Sequence, residues 1–308
     1  MINFTQYNPV KIVFGPGEIK KIGEQAKTLG NKPLVVFGMN SAKETGLDEK
    51  CFQLLKEAGL EPIPFYGIEP NPRESTCDKA AEHAKTNNCD FVIGVGGGSV
   101  MDASKTIAAS ASTGKPVWSH VKMGEPVTSA LPIMTVSTLA ATGSEFNAGA
   151  VITNWETNEK LGLFSPHMFP KISILDPELS ITTPPNHTAY GGVDIMIHVL
   201  ETYLTSNDNY TPVQDGISEA IMKTVVEYLP KAFSAGDDIN SRSQLSWASA
   251  VALCGIPNNG RPGGFLMHWM EHVMSAHHDI PHGLGLSFLL PPTLEYISEA
   301  FPKDMRCF

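Results

Sequence analysis

Phe91-Val92-Ile93-Gly94-Val95-Gly96-Gly97-Gly98-Ser99-Val100-Met101-Asp102 is an apolar run, a glycine turn and the start of a helical pattern. Phe91–Val95 reads as a buried strand, and Met101–Ser112 carries helical spacing. Between them, glycines let backbone N–H groups approach an anion closely. The helix N-terminus adds free donors and a partial positive charge. A pyrophosphate suits this turn, and a plain strand-to-helix turn is the bland alternative. The Rossmann fingerprint is not met. Its sixth position is Ser99, and no acidic residue follows at the ribose-binding distance of about 20 positions.

Working outward, β-branched runs recur at Lys11–Phe14, Leu34–Phe37, Leu131–Ser137 and Ile172–Leu175. Helical stretches such as Asp48–Ala58 and Cys77–Thr86 lie between them. This alternation predicts a mostly parallel sheet covered on both faces. After Asp176-Pro177 the pattern becomes helical, at Asp194–Leu204, Asp215–Val226, Ser243–Leu253 and Gly264–Ala276. The expected fold is an α/β dinucleotide-binding domain over 1–178 and an all-α metal-binding domain over 179–308.

The chain has 308 residues, enough for two domains, with 42% hydrophobic and 18% charged residues, which is globular composition. A net charge of −10 argues against nucleic acid or an anionic membrane surface as partner. Cys51, Cys77, Cys89, Cys254 and Cys307 are scattered and form no Cys-x-x-Cys pair. That suits a reducing cytosol, and the expected location is cytoplasmic. The first residues show no signal-peptide pattern, and no run reaches the roughly 18 apolar residues of a membrane span.

The helical half carries the metal chemistry. Asp194 and His198 stand at i,i+4, as do His268 and His272, and Pro281-His282-Gly283 follows. Five of the ten histidines fall between 268 and 282. Each pair projects from one helix face. One carboxylate and several imidazoles converging would make a mononuclear divalent-metal site. The bland reading is polar positions on two helices.

Two further polar turns follow strands. Gly38-Met39-Asn40-Ser41 holds no acid, and a carboxylate there would repel a ribose 2′-phosphate; its absence permits NADP. Ser137-Thr138 through Thr142-Gly143-Ser144-Glu145 is a hydroxyl-rich cluster suited to a ribose or diphosphate.

Together these landmarks resemble the iron-containing (group III) alcohol dehydrogenase family, across essentially the whole chain. They are Gly96–Ser99 with Asp102, Thr138 to Glu145, Asp176-Pro177, Asp194 with His198, and His268 with His272 before Pro281-His282-Gly283. The second helix looks closest to the butanol dehydrogenase and broad-range aldehyde reductase branch. The resemblance implies a dehydroquinate synthase-like architecture with a cleft between two domains. It maps metal ligands onto Asp194, His198, His268 and His282. It maps cofactor contacts onto Gly97, Gly98, Ser99, Asp102, Thr138, Thr142, Asn71 and Lys160. Gly38, Asn40, Ser41, Asn147 and Thr182 complete that expected set. Family members continue with several further helices beyond the Leu289-Leu290-Pro291-Pro292 segment, and this sequence stops at Phe308, so the C-terminal helices are expected to be missing.

The implied reaction is hydride transfer between NAD(P)(H) and a primary alcohol or aldehyde such as butanol or butanal, with Fe²⁺ as Lewis acid. Zn²⁺ or another divalent ion is the alternative. NADP(H) is the preferred cofactor and NAD(H) the second choice. His272 falls outside the family's ligand set and is assigned a catalytic proton-relay role, since imidazole titrates near neutral pH. Trp155, Phe146, Asn147 and Trp269 are candidate cleft-lining residues, and the expected assembly is a homodimer. Competing readings are a glycerol-dehydrogenase-like or dehydroquinate-synthase-like enzyme, a metal-dependent hydrolase, and an inactive cofactor- or metal-binding remnant.

Overall fold

The computed structural model describes residues 1–122, 124–206 and 211–300. Cys307 lies outside them. The chain divides into two compact units. One comprises Asn8–Leu139 and Ser144–Thr182. The other comprises Met1–Tyr7, Ala140–Gly143 and the chain from Thr183 onward.

The first unit holds a six-stranded sheet. Its strands are β1 (Lys11–Phe14), β2 (Pro33–Gly38), β3 (Ile63–Ile68), β4 (Phe91–Gly96), β5 (Ile133–Ser137) and, after a hairpin, β8 (Ile172–Leu175). The order is β1-β8-β5-β4-β2-β3, with every pairing parallel. The expected parallel sheet is present. Its helices are α1 (Ile22–Lys27), α2 (Ser41–Glu44), α3 (Leu47–Glu57), α4 (Glu74–Thr86), α5 (Gly98–Thr113) and α6 (Val117–Val121).

Side chains alternate across the strands and build two cores. Val35, Phe37, Phe91, Ile93 and Val95 pack with Ile22, Cys51 and Leu55 of α1 and α3. Leu34, Val36 and Val92 pack with Ala80, Ala84, Ala103 and Ile107 of α4 and α5. A strand covered on both faces reads as a continuous apolar run, which is why these strands stand out in the sequence.

β3 does not stand out, because Pro64 and Gly67 interrupt it. It lies at the sheet edge, where a proline's missing N–H costs no ladder bond. The antiparallel hairpin of β6 (Gly149–Asn154) and β7 (Glu159–Phe164) is also new relative to the sequence reading. Its turn is built by Asn154, whose side chain accepts from the amides of Glu156 and Thr157.

A buried polar knot ties α5 to this hairpin. Lys105 Nζ donates to Ser144 Oγ (2.8 Å), Asn147 Oδ1 (3.1 Å) and the Gly149 carbonyl (2.6 Å). Asp102 accepts from Ser144 Oγ (2.6 Å) and the Val151 amide (2.9 Å). Burial lowers the Lys105 ammonium to about 8, with Asp102 and Glu145 opposing the fall. Glu145 is 1% exposed, and its Oε2 has no hydrogen-bond partner. Burial drives its carboxyl up to about 7, against its own backbone amide and Lys105.

The second unit is helical: α7 (Pro185–Leu204), α8 (Pro212–Ser234), α9 (Ile239–Ala252), α10 (Leu266–His278) and α11 (His282–Ala300). Ile195, Val199 and Leu204 of α7 pack against Ile221, Met222 and Val225 of α8 and Leu245 of α9. Ile197, Met267 and Leu286 form a smaller core joining α7, α10 and α11. The sequence reading assigned no helix to 282–300, and Pro291-Pro292 explains why. Each proline removes a backbone donor, yet the helix runs on, with Leu290, Leu294 and Ile297 packed on the α7–α9 core. Among the described residues, no helix is long and apolar enough to cross a membrane.

Glu145 gives a pH signature. Its folded pKa, about 7, lies above the ordinary 4.5, so the folded state holds the proton more tightly. Its stabilising contribution is full below pH 4.5 and is lost as pH rises through 7. At about 1.4 kcal/mol per pKa unit the loss reaches at most ~3–4 kcal/mol. Glu145→Gln cannot ionise, so its melting temperature should vary less than wild type between pH 4.5 and 8 in thermal scans. An unchanged profile contradicts the assignment.

Candidate metal centre and nucleotide turn

α7 places Asp194, His198 and Glu201 on one face, at i, i+4 and i+7. The opposite face supplies the apolar contacts to α8 and α9, so this polar face is turned inward. Asp194, His198 and Glu201 are 2%, 4% and 2% exposed. α10 brings His268, and the first residue of α11 is His282. Gly283 lets α11 approach so closely: a Cβ there would meet the Tyr190 carbonyl oxygen at 2.3 Å.

Three imidazoles converge on a single oxygen. Nε2 of His198, His268 and His282 lie 3.5, 3.5 and 3.6 Å from Asp194 Oδ1. The donor atoms of Asp194, His268 and His282 also lie within 4.8 Å of one another. The His198 and His268 rings stack, with centroids 4.6 Å apart. Asp194 Oδ1 and His268 Nε2 are buried and have no hydrogen-bond partner. Burying such atoms unsatisfied is costly, and more so for a carboxylate.

A shared cation would resolve this. Imidazole and carboxylate ligands about 2.1 Å from one ion stand about 3.4 Å apart in a tetrahedral arrangement. The three separations from Asp194 Oδ1 fit that spacing, and Asp194, His268 and His282 form the compact group, with His198 outside it. Asp194, His198, His268 and His282 could therefore hold a divalent transition-metal ion.

Electrostatics agree for Asp194 and His198, whereas His268 holds a proton that a bound ion would have to displace. Burial alone raises the Asp194 carboxyl, but the three imidazoles more than offset it and hold it well below the usual range. Burial pushes His198 down, so its ring is neutral as a ligand requires. His268 rises to about 9, because Asp194 and Glu201 outweigh its burial.

Two carboxylates here went unassigned in the sequence reading. Glu201 Oε2 accepts from His268 Nδ1, and its Oε1 accepts from the Met267 amide. Glu271 Oε2 accepts from His282 Nδ1, and its Oε1 from Ser275 Oγ. Their helical phase relative to the histidines was the available signal: Glu201 follows His198 by three positions and Glu271 follows His268 by three. His272 is half-buried, with its ring 5.7 Å from that of His282. His277 and His278 are exposed, as is Trp269.

In the sheet unit, the glycine turn opens α5. Gly97 occupies the N-cap without any side-chain cap, leaving the first helical N–H groups available. Strand pairing brings the other polar turns beside it. β2 is the neighbour of β4, so Gly38, Asn40 and Ser41 leave the sheet at the same end as Gly96–Ser99. β5 lies on the other side, and the Thr138 amide donates to the Gly96 carbonyl (3.1 Å). The strand order reverses between β2 and β4, and ligands of open α/β sheets bind outside strand ends at such a point.

Lys160 Nζ donates to Asn71 Oδ1 (2.9 Å), so these two expected contacts meet. Asp102 and Asn147 spend oxygens on the Lys105 knot described above. Thr182 is exposed at the end of the unit, and Thr142 falls in the stretch that belongs to the helical unit. Trp155 stacks under the Arg73 guanidinium, 4.7 Å from its ring centroid.

Comparison with known proteins places this geometry. Residues 9–177 match the iron-containing alcohol dehydrogenase family, and residues 188–307 match the Fe-containing alcohol dehydrogenase C-terminal family. A probable NADH-dependent butanol dehydrogenase of Bacillus subtilis is 43% identical over 306 residues, covering 99% of this chain and 79% of that protein. The NADPH-dependent aldehyde reductase YqhD of Escherichia coli is 36% identical, covering 94% and 75%. The crystal structure of NADH-dependent butanol dehydrogenase A from Thermotoga maritima superposes with a TM-score of 0.94 at 38% identity, covering 98% and 76%. The chain belongs to the iron-containing alcohol dehydrogenase family.

Proposed function

We propose that this chain is a metal-dependent alcohol dehydrogenase and aldehyde reductase acting on short primary alcohols and aldehydes, butanol and butanal among them. The observation that carries this reading is the convergence of three imidazole Nε2 atoms on one partnerless carboxylate oxygen. The names of the relatives supply the substrate class, butanol in one and aldehydes in another. Asp194, His198, His268 and His282 would hold the ion, iron first. When bound, the ion supplies a Lewis acid for the substrate oxygen, and the nicotinamide supplies the hydride chemistry.

The chain's own residues set the conditions. Asp194 contributes the one negatively charged donor of the ligand set, in a site dry enough for that charge to count. The amides opening α5 hold the cofactor's diphosphate. His272, beside His282, is placed to pass a proton between substrate and solvent.

NADP(H) is the preferred cofactor in this reading. Relatives carry both NADH- and NADPH-dependent names. What favours NADP(H) is the turn after β2, where Gly38, Asn40 and Ser41 present no acid to a 2′-phosphate. Lys43 stands close by, 4.0 Å over the Tyr66 ring.

Fluorescence titration should show tighter binding of NADPH than of NADH. Asn40→Asp should weaken NADPH relative to NADH about tenfold, or about 1.4 kcal/mol. An unchanged ratio rejects the cofactor assignment. Asp194→Ala should lose stoichiometric metal and turnover; full metal content by elemental analysis rejects the ligand set. His272→Ala should keep its metal while kcat falls ~10²-fold or more, and an unaltered kcat removes His272 from the chemistry.

A further inference from the structure

We propose that Glu201 and Glu271 are positioning residues that set the imidazole tautomers of the metal site, and that Glu201 also fixes α10 against α7. The proposal rests on the reading that Asp194, His198, His268 and His282 hold a divalent ion.

Each carboxylate faces the ring nitrogen turned away from Asp194. Glu201 lies at Nδ1 of His268, and Glu271 at Nδ1 of His282. A carboxylate can only accept, so each Nδ1 must carry the hydrogen. With an ion bound, Nε2 would then present its lone pair on the side of Asp194 Oδ1, 3.5 and 3.6 Å away. A hydrogen-bonded carboxylate also makes the imidazole a stronger donor to a metal. Glu201 and Glu271 are 2% and 0% exposed, so water does not compete for either contact. Acids are rarely buried so completely unless paired.

Glu201 has a second partner, the Met267 backbone amide. Met267 is the second residue of α10, whose N-cap residue Phe265 provides no side-chain cap. A carboxylate from α7 therefore satisfies a free donor of α10 and complements its positive end. One side chain holds both the start of the ligand helix and the ring of the ligand one residue later. His198 differs: its Nδ1 is buried without a partner.

The two carboxylates predict different responses to the same isosteric change. Both partners of Glu201 donate, through Nδ1–H and a backbone N–H. Glutamine offers one acceptor and one donor, so in Glu201→Gln one end must face donor to donor. The second partner of Glu271 is a hydroxyl, which can accept as well as donate. In Glu271→Gln the amide oxygen keeps His282, and the amide NH₂ donates to Ser275.

The experiment is chelator competition for Co²⁺ on the full chain, with the Co²⁺ visible spectrum and the melting temperature of the metal-free protein. Glu201→Gln should weaken Co²⁺ binding ~10–100-fold and alter the spectrum. Glu271→Gln should stay within a few-fold of wild type, whereas Glu271→Ala should fall ~10–100-fold, a loss read against the metal-free melting temperature of each variant. The Glu271 pair keeps the test decisive if Glu201→Gln does not fold. Wild-type affinity and spectrum in both Glu201→Gln and Glu271→Ala overturn the proposal. So does equal weakening of Glu271→Gln and Glu271→Ala. If wild type binds no Co²⁺, or Asp194→Ala binds it equally well, the underlying ligand reading fails instead.

Discussion

The helical unit is organised around one oxygen atom. Asp194 Oδ1 is withdrawn from water, faces three imidazoles and lacks a hydrogen-bond donor. A carboxylate in that position is tolerable only with a positive charge supplied at its open side. The need for that charge explains features that otherwise look unfavourable. α7 turns a polar face inward, Gly283 brings α11 against Tyr190, and two glutamates are buried behind the histidines. Each raises the cost of the empty site and sharpens its geometry for a filled one.

The sheet unit follows a different rule, in which uncapped backbone amides rather than side chains open the proposed cofactor turn. The polar turns after β2, β4 and β5 come from stretches far apart in sequence and are collected by strand order alone. The charged residues nearby, Asp102 and Lys105, are occupied with Ser144 and the β6–β7 hairpin, and Glu145 is buried beside them. That leaves uncharged amides at the mouth of the turn, which suits an anionic ligand in a chain of net charge −10.

Strands buried on both faces were legible because they read as unbroken apolar runs; β2, β4, β5 and β8 all fall where that pattern placed them, as does the edge strand β1. The i,i+4 spacing likewise announced Asp194 with His198. β3 and α11 were hidden by prolines, whose local penalty is overridden at a sheet edge in one case and by packing in the other. The adjacency of the turns after β2 and β4 could not be read, since strand order is a property of the whole sheet. Glu201 and Glu271 were hidden for a third reason. An acid on a helix is usually solvated, and only knowledge of which face is buried separates these two from the rest.

Asp194 and His282 lie far apart along the chain and on different helices, with α8, α9 and α10 between them. An ion that joins them closes a long loop, as a disulfide does, and removes much of the freedom of the unfolded segment. Release of such an ion and opening of the α7–α11 packing would then become a single event. The lifetime of a metal held as proposed would follow how often these helices part, so a substitution in the Ile197, Met267 and Leu286 core, which touches no donor atom, would hasten its escape.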